Sequence, residues 1–540
     1  MDRNSGSGIL GFDRRRDQSW RGRGRNSKPV QTSTTNSVGY TWIKMTHQPR
    51  TKAWRVPSSQ PKIQLEQLTN DIFYEILSHL PVEDIVRLRQ VCKWLQEVTR
   101  QRAVWSSVYE KSNLLRPEGP TPTQTAQDLE NLLVHFTKIQ RKWSEHSEVQ
   151  PVSRKSIKCA LPYIYGVAMV SGRYLIVGAG NEISWYDLDQ DSEGEWLDVP
   201  VAKYDVSTPG AGPIAMQFLS AQANPDGEGP DVAYVSFFVD HCMKVLKVKL
   251  LPPDTSVETV AEFGPLILMP SWDRLQNDYL LVRSGLSLVP EIEEDSFILR
   301  LFHIPTRREY GFVLDENVLS HASYWNCMIT TTHLIMLFPQ PHRHETDVVI
   351  FNLPTGSSID SSSVPQLAVT HTAVYPCSIW GAECVHETTS SNDSGIFEVR
   401  VRILAICHEG YECHIPIFLE YLDIIIPSVG TVKFLKHSSA LLRGVRPGTM
   451  EKVLTTSCSS ITFALSYSQS AVNPIDGQII TMHVVMPGTS TDEGTIATKR
   501  LTLPGEKDAL ALVGFDGFRG RICFNAPYAN IPRIDIWSLI

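Results

Sequence analysis

Residues 65–105 carry the clearest pattern of hydrophobic positions in the chain, and its spacing is that of short helices. The first predicted helix has apolar side chains around most of its circumference: Ile72, Phe73, Ile76, Leu77 and Leu80. Pro81 predicts the end of this helix directly after Leu80. A helix with so little polar surface needs a cover over most of its faces.

Two more short helices are predicted behind the first. The second begins near Glu83 and carries Ile85 and Leu88, and the third carries apolar residues at the same spacing: Val91, Leu95 and Val98. Three helices of this size bury only part of their apolar surface against one another. We therefore expect a neighbouring protein to cover the remainder, and the segment is interpreted as a docking module.

The same residues resemble an F-box. The positions that match the usual pattern of that family are Leu68, Ile72, Ile76, Leu77, Leu80, Pro81, Asp84, Leu88, Val91, Cys92, Lys93, Trp94 and Trp105. Thr69 stands where the family usually has proline, so a capping hydroxyl replaces a rigid ring at the start of the helix. The alternative is a helical bundle that binds nothing.

The resemblance implies a domain over residues 61–112 that binds the Skp adaptor of an SCF-type ubiquitin ligase and, through it, a cullin. The residues expected to contact the adaptor are Leu68, Ile72, Ile76, Leu80, Pro81, Leu88, Val91, Cys92, Trp94 and Trp105. The chain would then be a non-catalytic substrate receptor. A scaffold that carries an F-box but acts outside ubiquitination is the alternative.

Residues 113–150 predict a helical connector. After the proline-containing segment 116–124, six apolar residues recur at helical spacing: Leu129, Leu132, Leu133, Phe136, Ile139 and Trp143. Thr125 and Asp128 have the spacing of a capping box, which marks the start of this helix. We expect it either to join the first domain rigidly to the C-terminal part of the chain or to pack on that domain as one more core helix.

Residues 151–540 predict an all-β body, because short strands and polar turns replace the helical period. Seven strands of similar character recur, at residues 183–188, 243–250, 297–304, 348–353, 414–422, 478–485 and 533–540. The fold class is therefore multidomain, α followed by all-β, with an irregular β-propeller of about seven blades that binds a protein target. A large β-sandwich is the alternative.

Residues 162–188 resemble a degenerate blade of the WD type. Because the chain ends on a strand of the inner kind, closure of a propeller requires a strand supplied by the beginning of the body. Residues 152–160 are the candidate partner for Ile534–Leu539. The sequence does not identify the target or the face that binds it. Loops 323–326 and 515–518 are the candidate target-binding loops.

Charge separates the ends of the chain. Residues 1–60 hold twelve Lys and Arg against three Asp, a net charge of +9, which leaves −17 for the other residues of a chain whose total is −8. This basic stretch predicts a disordered tail with, at most, weak nucleic-acid contact. Without an apolar run of membrane-spanning length, and with only ten scattered cysteines, we expect no membrane contact and a cytoplasmic or nuclear location.

No catalytic motif is found, and neither a catalytic residue, a metal nor a cofactor is predicted. The weak candidates are a cysteine and histidine group and an acidic segment at 187–198 that imitates a calcium loop. The first consists of Cys377, Cys384, His386, Cys407, His408, Cys413 and His414. Strand cysteines and an ordinary acidic hairpin explain the two features better. An enzyme of the propeller type is the third function class.

Overall fold

The computed structural model of this chain describes a group of helices followed by a large body of strands. The residues described are 68–112, 114, 119–120, 122, 124–145, 148–158, 164–170, 172–190, 197, 199–206, 217–223, 232–250, 255–264, 270–285, 297–312, 326–340, 342–354, 364–391, 397–408, 417–442, 452–457, 462–468, 479–486, 495–501, 511–526 and 533–539. The predicted basic tail, residues 1–60, lies outside them.

Four short helices and one long helix come first. They are α1 (Asn70–Ser78), α2 (Val82–Leu88), α3 (Lys93–Val98), α4 (Arg102–Lys111) and α5 (Ala126–Glu145). The prediction of three helices was incomplete, because Trp105 belongs to a fourth. Val91 precedes α3 instead of lying in it, and α1 ends two residues earlier than expected, with Pro81 capping the start of α2. No helix in this described part of the chain is both long and apolar enough to cross a bilayer.

One hydrophobic core joins all five helices. Its buried members are Phe73, Leu77, Val82, Ile85, Leu95, Val98, Val104, Trp105, Val108, Tyr109, Leu129 and Leu133. Leu129 and Leu133 come from α5, so the predicted connector also completes the core of the small domain. This covers apolar surface that the four short helices could not cover themselves.

The strand body begins with β1 (Glu148–Val149) and β2 (Ser153–Lys158), and its other strands form small sheets in chain order. Sheet 1 contains β3 (Ile164–Val170), β4 (Tyr174–Ala179), β5 (Glu182–Asp187) and β6 (Ala202–Asp205). Sheet 2 contains β7 (Gln217–Ala223), β8 (Val232–Val239), β9 (Cys242–Lys249) and β10 (Ser256–Phe263). Sheet 3 contains β11 (Pro270–Gln276), β12 (Tyr279–Gly285), β13 (Phe297–His303) and β14 (Arg308–Phe312). Each is a simple antiparallel meander.

The next four sheets repeat this order. Sheet 4 contains β15 (Asn326–Ile329), β16 (His333–Gln340), β17 (Glu345–Asn352) and β19 (Val369–Tyr375), while β18 (Gln366–Leu367) adds to β14 of sheet 3. Sheet 5 contains β20 (Ser378–Ser391), β21 (Phe397–His408), β22 (Ile417–Pro427) and β23 (Lys433–Leu441). Sheet 6 contains β24 (Lys452–Ser457), β25 (Thr462–Ser468), β26 (Ile479–Met486) and β27 (Thr495–Leu501), with β1 parallel to β27. Sheet 7 contains β28 (Ala511–Asp516), β29 (Arg521–Ala526), β30 (Arg533–Ser538) and β2.

The seven recurrent strands predicted from sequence are the third strands of the seven sheets: β5, β9, β13, β17, β22, β26 and β30. Their shared apolar character follows from this position. A third strand is paired on both edges and, in β17, has four consecutive buried residues, Val348 to Phe351, so both of its faces are covered.

Neighbouring sheets touch through their first strands. Strand β3 contacts β7, β7 contacts β11, β15 contacts β20, β20 contacts β24, β24 contacts β28, and β28 contacts β3 again. Between β11 and β15, the Arg274 guanidinium donates to the carbonyl oxygen of Cys327 at 2.8 Å. Apolar clusters fill the space between successive sheets, such as sheets 1 and 2 or sheets 4 and 5.

The pairing predicted between the beginning and the end of the body is confirmed. Strand β2 runs antiparallel to β30, with Ser153 opposite Ser538 and Lys158 opposite Arg533. Asp535, which is fully buried, accepts hydrogen bonds from the Arg154 guanidinium at 2.8 Å and from the Ser156 hydroxyl at 2.7 Å. The last sheet is thus completed by a strand from the other end of the body.

Candidate adaptor-docking surface

Helix α1 has two apolar faces, one buried and one exposed. Phe73 and Leu77, which are four residues apart, face the core and are 3% and 0% exposed. Ile72 and Ile76 form the neighbouring row and are 52% and 43% exposed. Residues four apart lie on one side of a helix, so the two isoleucines form one uncovered aliphatic stripe.

Contacts on the inner side fix the direction of that stripe. The ring of Phe73 packs against Trp94 with centroids 4.9 Å apart. The Tyr74 hydroxyl donates to the side-chain oxygen of Gln101, and Lys111 of α4 forms an ion pair with Glu75. Rotation of α1 to bury its isoleucines would break all three contacts.

A second exposed apolar site lies in the turn before α3. Val91 is 69% exposed, and the Cys92 thiol is also exposed. The backbone N–H of Val91 donates to the carbonyl oxygen of Leu88 at 3.1 Å, which holds the turn in shape. Pro81, which begins α2, is exposed as well.

The other predicted contact residues are covered to different degrees. Leu68, Leu80, Leu88 and Trp94 are half-buried, and the last three pack against the helical core. Trp105 is completely enclosed, and its indole N–H donates to the carbonyl oxygen of Thr99 at 2.8 Å. Its assignment as an adaptor contact does not fit this geometry: Trp105 is a core residue, because its position on α4 points it between the other helices.

Sequence reasoning missed the polar contact that ties this domain to α5. The guanidinium of Arg89 donates twice to the carboxylate of Glu130, at 2.7 Å each, and once to the carbonyl oxygen of Thr99 at 3.0 Å. It also lies over the ring of Trp105, 5.6 Å from the centroid. A pair separated by 41 positions has no local signature, so nothing in the pattern could have predicted it.

Helix α5 begins as predicted. The backbone N–H of Thr125 donates to the Asp128 carboxylate at 2.9 Å, and the N–H of Asp128 donates to the Thr125 hydroxyl at 3.2 Å. The Thr125 hydroxyl also donates to the Asp128 carboxylate at 2.6 Å, and this bond, together with the one from the Thr125 N–H, lowers the pKa of Asp128 below its ordinary value. The reciprocal pair is a capping box, and it satisfies backbone donors that the first turn of a helix leaves free.

Helix α5 also contacts the strand body. Phe136, which is 3% exposed, meets Phe518 in the turn between β28 and β29 with ring centroids 6.3 Å apart. This contact uses part of the loop 515–518 that the sequence suggested for target binding. Of the other suggested loop, residues 323–325 lie outside the described residues.

The two described carboxylates of the acidic segment at the end of β5, Asp187 and Asp189, are paired with arginines. The Arg173 guanidinium donates to Asp187 at 2.8 Å, and Asp189 forms ion pairs with Arg519 and Arg521. Burial opposes ionisation of Asp189, but the two guanidinium groups outweigh it and hold its pKa below the ordinary value. Residues 191–196 and Asp198 of the calcium-like pattern lie outside the described residues.

The cysteine and histidine group is spread along β20 and β21. The Cys377 thiol donates to the carbonyl oxygen of His408 at 3.3 Å, and the Cys407 thiol donates to the Glu420 carboxylate at 3.3 Å. Burial raises the pKa of Cys407 well above its ordinary value, so its thiol stays protonated. Cys413 and His414 lie outside the part described, within which no three such side chains come together to hold a metal.

Residues 66–111 match the model of the F-box-like family. The match covers α1 to α4 and includes the exposed stripe of α1. The chain therefore contains an F-box-like domain, a protein-interaction module, at its helical end. A comparison with curated proteins finds no match for the chain.

Several solved structures resemble the chain at low identity. Plexin A from Drosophila, in complex with Semaphorin 1b, is 7% identical with a TM-score of 0.38, covering 73% of this chain and 88% of its own. An oligogalacturonate lyase from Vibrio parahaemolyticus is 11% identical with a TM-score of 0.34, covering 71% and 90%. A chain of the mitotic checkpoint complex is 9% identical with a TM-score of 0.32, covering 72% and 94%. Likenesses this distant carry no argument about function.

Proposed function

We propose that this chain is the substrate-recruiting subunit of an SCF-type ubiquitin ligase. In this proposal the F-box-like domain binds the Skp adaptor, and through it a cullin, while the strand body binds a protein target destined for ubiquitin-dependent degradation. The chain itself makes and breaks no bond, and it works in the cytoplasm, the nucleus or both.

The observation that carries the proposal is the uncovered stripe of α1 inside a domain that matches the F-box-like model. Ile72 and Ile76 are held outward by the contacts of Phe73, Tyr74 and Glu75 on the other rows of the same helix. Large aliphatic side chains in a fixed, exposed row are a feature of protein-docking helices.

The size of this surface fits a binding role. Full burial of an isoleucine or valine side chain contributes about 1.5–3 kcal/mol. Ile72, Ile76 and Val91 together can anchor an interface, and the half-buried residues around them must add further apolar contact to exceed the entropy cost of association.

The direct experiment is the double substitution Ile72→Asp with Ile76→Asp, with binding of purified Skp adaptor measured by titration. Loss of both aliphatic anchors, and the desolvation of two carboxylates, should weaken binding at least about a hundredfold. Because both side chains are exposed, the melting temperature should stay close to that of the unchanged protein.

The matched control is Val429→Asp with Val199→Asp, which places the same two charges at exposed aliphatic positions of the strand body, 80% and 71% exposed. This variant should bind the adaptor normally. Undiminished binding by the double variant would refute the docking surface. Adaptor binding without cullin recruitment or target ubiquitination would instead favour the scaffold alternative.

For the strand body we propose a seven-bladed β-propeller, in which each sheet is one blade. The chain of contacts from β3 through successive first strands and back from β28 to β3 supports a closed ring, and so does the pairing of β2 with β30. An experimental structure in which β28 and β3 are not neighbours would contradict it.

A further inference from the structure

Three strands of sheet 5 are longer than the corresponding strands of sheet 6. Its strands β20, β21 and β22 contain 14, 12 and 11 residues. The corresponding strands β24, β25 and β26 of sheet 6 contain 6, 7 and 8. At roughly 3.4 Å per residue, the excess of five residues in β21 over β25 amounts to about 17 Å. One end of sheet 5 therefore extends beyond the described strands of sheet 6.

The apolar contacts show which end that is. On the side of sheet 5 that faces sheet 6, Leu404, Leu419 and Tyr421 form a cluster against which Ile496 of β27 packs. That cluster lies near one end of sheet 5, the end at which β21 finishes and β22 begins. The opposite end, with the start of β21 and the end of β22, extends past this cover.

Strand register places two rows of side chains on the extended part of this same face. Arg400 pairs with Ile425, which pairs with Lys433; two residues along, Arg402 pairs with Asp423, which pairs with Leu435. The side chain of Arg400 is 42% exposed, Leu435 is 45% exposed, and Lys433 is also exposed. We name these five exposed or partly exposed residues, Arg400, Arg402, Ile425, Lys433 and Leu435, the sheet-5 shelf.

A buried carboxylate lies beside the two arginines of the shelf. Asp423 is fully buried and accepts hydrogen bonds from the Arg402 guanidinium at 2.7 and 3.2 Å. The imidazole of His437 lies 2.9 Å from it, and the Arg400 guanidinium lies 3.8 Å away. Among the described residues of this face, Glu398 near the start of β21 is the second carboxylate, and His386 is also present. Positive charge therefore exceeds negative charge among these residues.

We propose that the sheet-5 shelf binds an extended acidic segment of the target protein, with its carboxylates at Arg400 and Lys433 and its aliphatic side chains on Ile425 and Leu435. The two cations are two strands apart, about 10 Å, which is close to three residues of an extended peptide. The guanidinium of Arg400, which lies 3.8 Å from Asp423, loses less side-chain entropy on binding than an unpaired side chain would. The inference rests on the proposed role of the body as target receptor.

The side of the body on which the shelf lies also bears on the proposal. Its free end is at the connection from β20 to β21, from the first strand of a sheet to the second. Phe518, which contacts α5, lies in the corresponding connection from β28 to β29. Equivalent strands of a closed ring run in the same direction, so both connections fall on the same side. A target on the shelf would sit on the side that carries the F-box-like domain.

The test uses the full chain and a displayed library of random 12-residue peptides. Peptides selected on the unchanged protein should be enriched in Asp or Glu together with aliphatic residues. The variant Arg400→Glu with Lys433→Glu should bind the selected peptides at least about tenfold more weakly, because like charges then face each other. Changing the acidic residues of a selected peptide to lysine should restore binding to this variant.

The matched control is Lys158→Glu with Lys249→Glu, which makes the same charge change at exposed lysines of sheets 7 and 2. It should leave peptide affinity within about twofold. Selection of peptides without acidic residues, no enrichment at all, or equal loss in both double variants would overturn the proposal. Titration with the purified adaptor, run on the same samples, separates this outcome from failure of the F-box assignment.

Discussion

Helix α1 and strand β17 both carry rows of large aliphatic side chains, yet only the strand hides all of them. Val348 to Phe351 of β17 are buried on both faces, because strands flank its edges and neighbouring sheets cover its faces. In α1, Phe73 and Leu77 are buried while Ile72 and Ile76 are left outside. In a stack of sheets, each sheet buries the apolar side chains of the next. A small helical domain has too few elements to bury all of its own apolar side chains.

The strongest way to test this comparison is to remove a residue that the helical domain does cover. Trp105→Ala deletes a fully buried indole that packs between the helices and beneath Arg89. We expect a loss of about 3–5 kcal/mol in the free energy of unfolding of α1 to α4. Amide hydrogen exchange of the full chain measures this region by itself.

The control for that experiment is Ile76→Ala. Its side chain is exposed, so hydrogen exchange of the helices should change by less than about 0.5 kcal/mol while adaptor binding falls. If the two substitutions had equal effects on stability, the division of the domain into a core and a docking stripe would be wrong.

A second test asks how the strand body tolerates a buried charge. Asp423→Asn leaves the guanidinium of Arg402 without its carboxylate, and we expect sheet 5 to lose about 3 kcal/mol of stability at neutral pH. Hydrogen exchange in β21 and β22 reports the loss. Protection in α1 to α4 should stay unchanged, since the two regions have separate cores.

The same pair predicts a pH dependence. Burial opposes ionisation of Asp423, but the hydrogen bonds from Arg402 and the adjacent imidazole of His437 outweigh it and lower its pKa. A carboxylate with a depressed folded-state pKa stabilises the fold above its unfolded pKa of about 4, and this contribution disappears as the pH falls through the folded value. The difference between the unchanged protein and Asp423→Asn should therefore shrink in acid. A constant difference down to low pH would contradict it.

The smallest expected effect concerns the contact between the two regions. Phe518→Ala removes one ring of the pair with Phe136, which should cost roughly 1–2 kcal/mol. Exchange should rise in the second half of α5 and in the turn from β28 to β29. Protection in the first turn of α5, which Thr125 and Asp128 cap, should not change. A uniform rise in hydrogen exchange along the whole helix would show that Phe518 does not act locally.

Local patterns in the sequence were sufficient for most of the elements, though not for α4 as a separate helix, and for one long-range pairing. The period of Phe73 and Leu77 predicted α1, the spacing of Thr125 and Asp128 predicted the start of α5, and the seven similar strands proved to be the third strand of each sheet. The pairing of β2 with β30 was predicted from the order of the strands along the body. These features depend on residues close in sequence or on the order of elements along it.

Tertiary structure alone decided which apolar residues face outward. The sequence grouped Trp105 with Ile72 and Ile76 as contact residues, but the fold encloses the first and exposes the other two. It also joined Arg89 to Glu130 and left the side chains of Arg400 and Leu435 exposed at one end of sheet 5. Burial of a side chain depends on which residues from distant parts of the chain pack against it. Hydrophobic periodicity indicates only the helix or strand to which a residue belongs, so it does not predict those contacts.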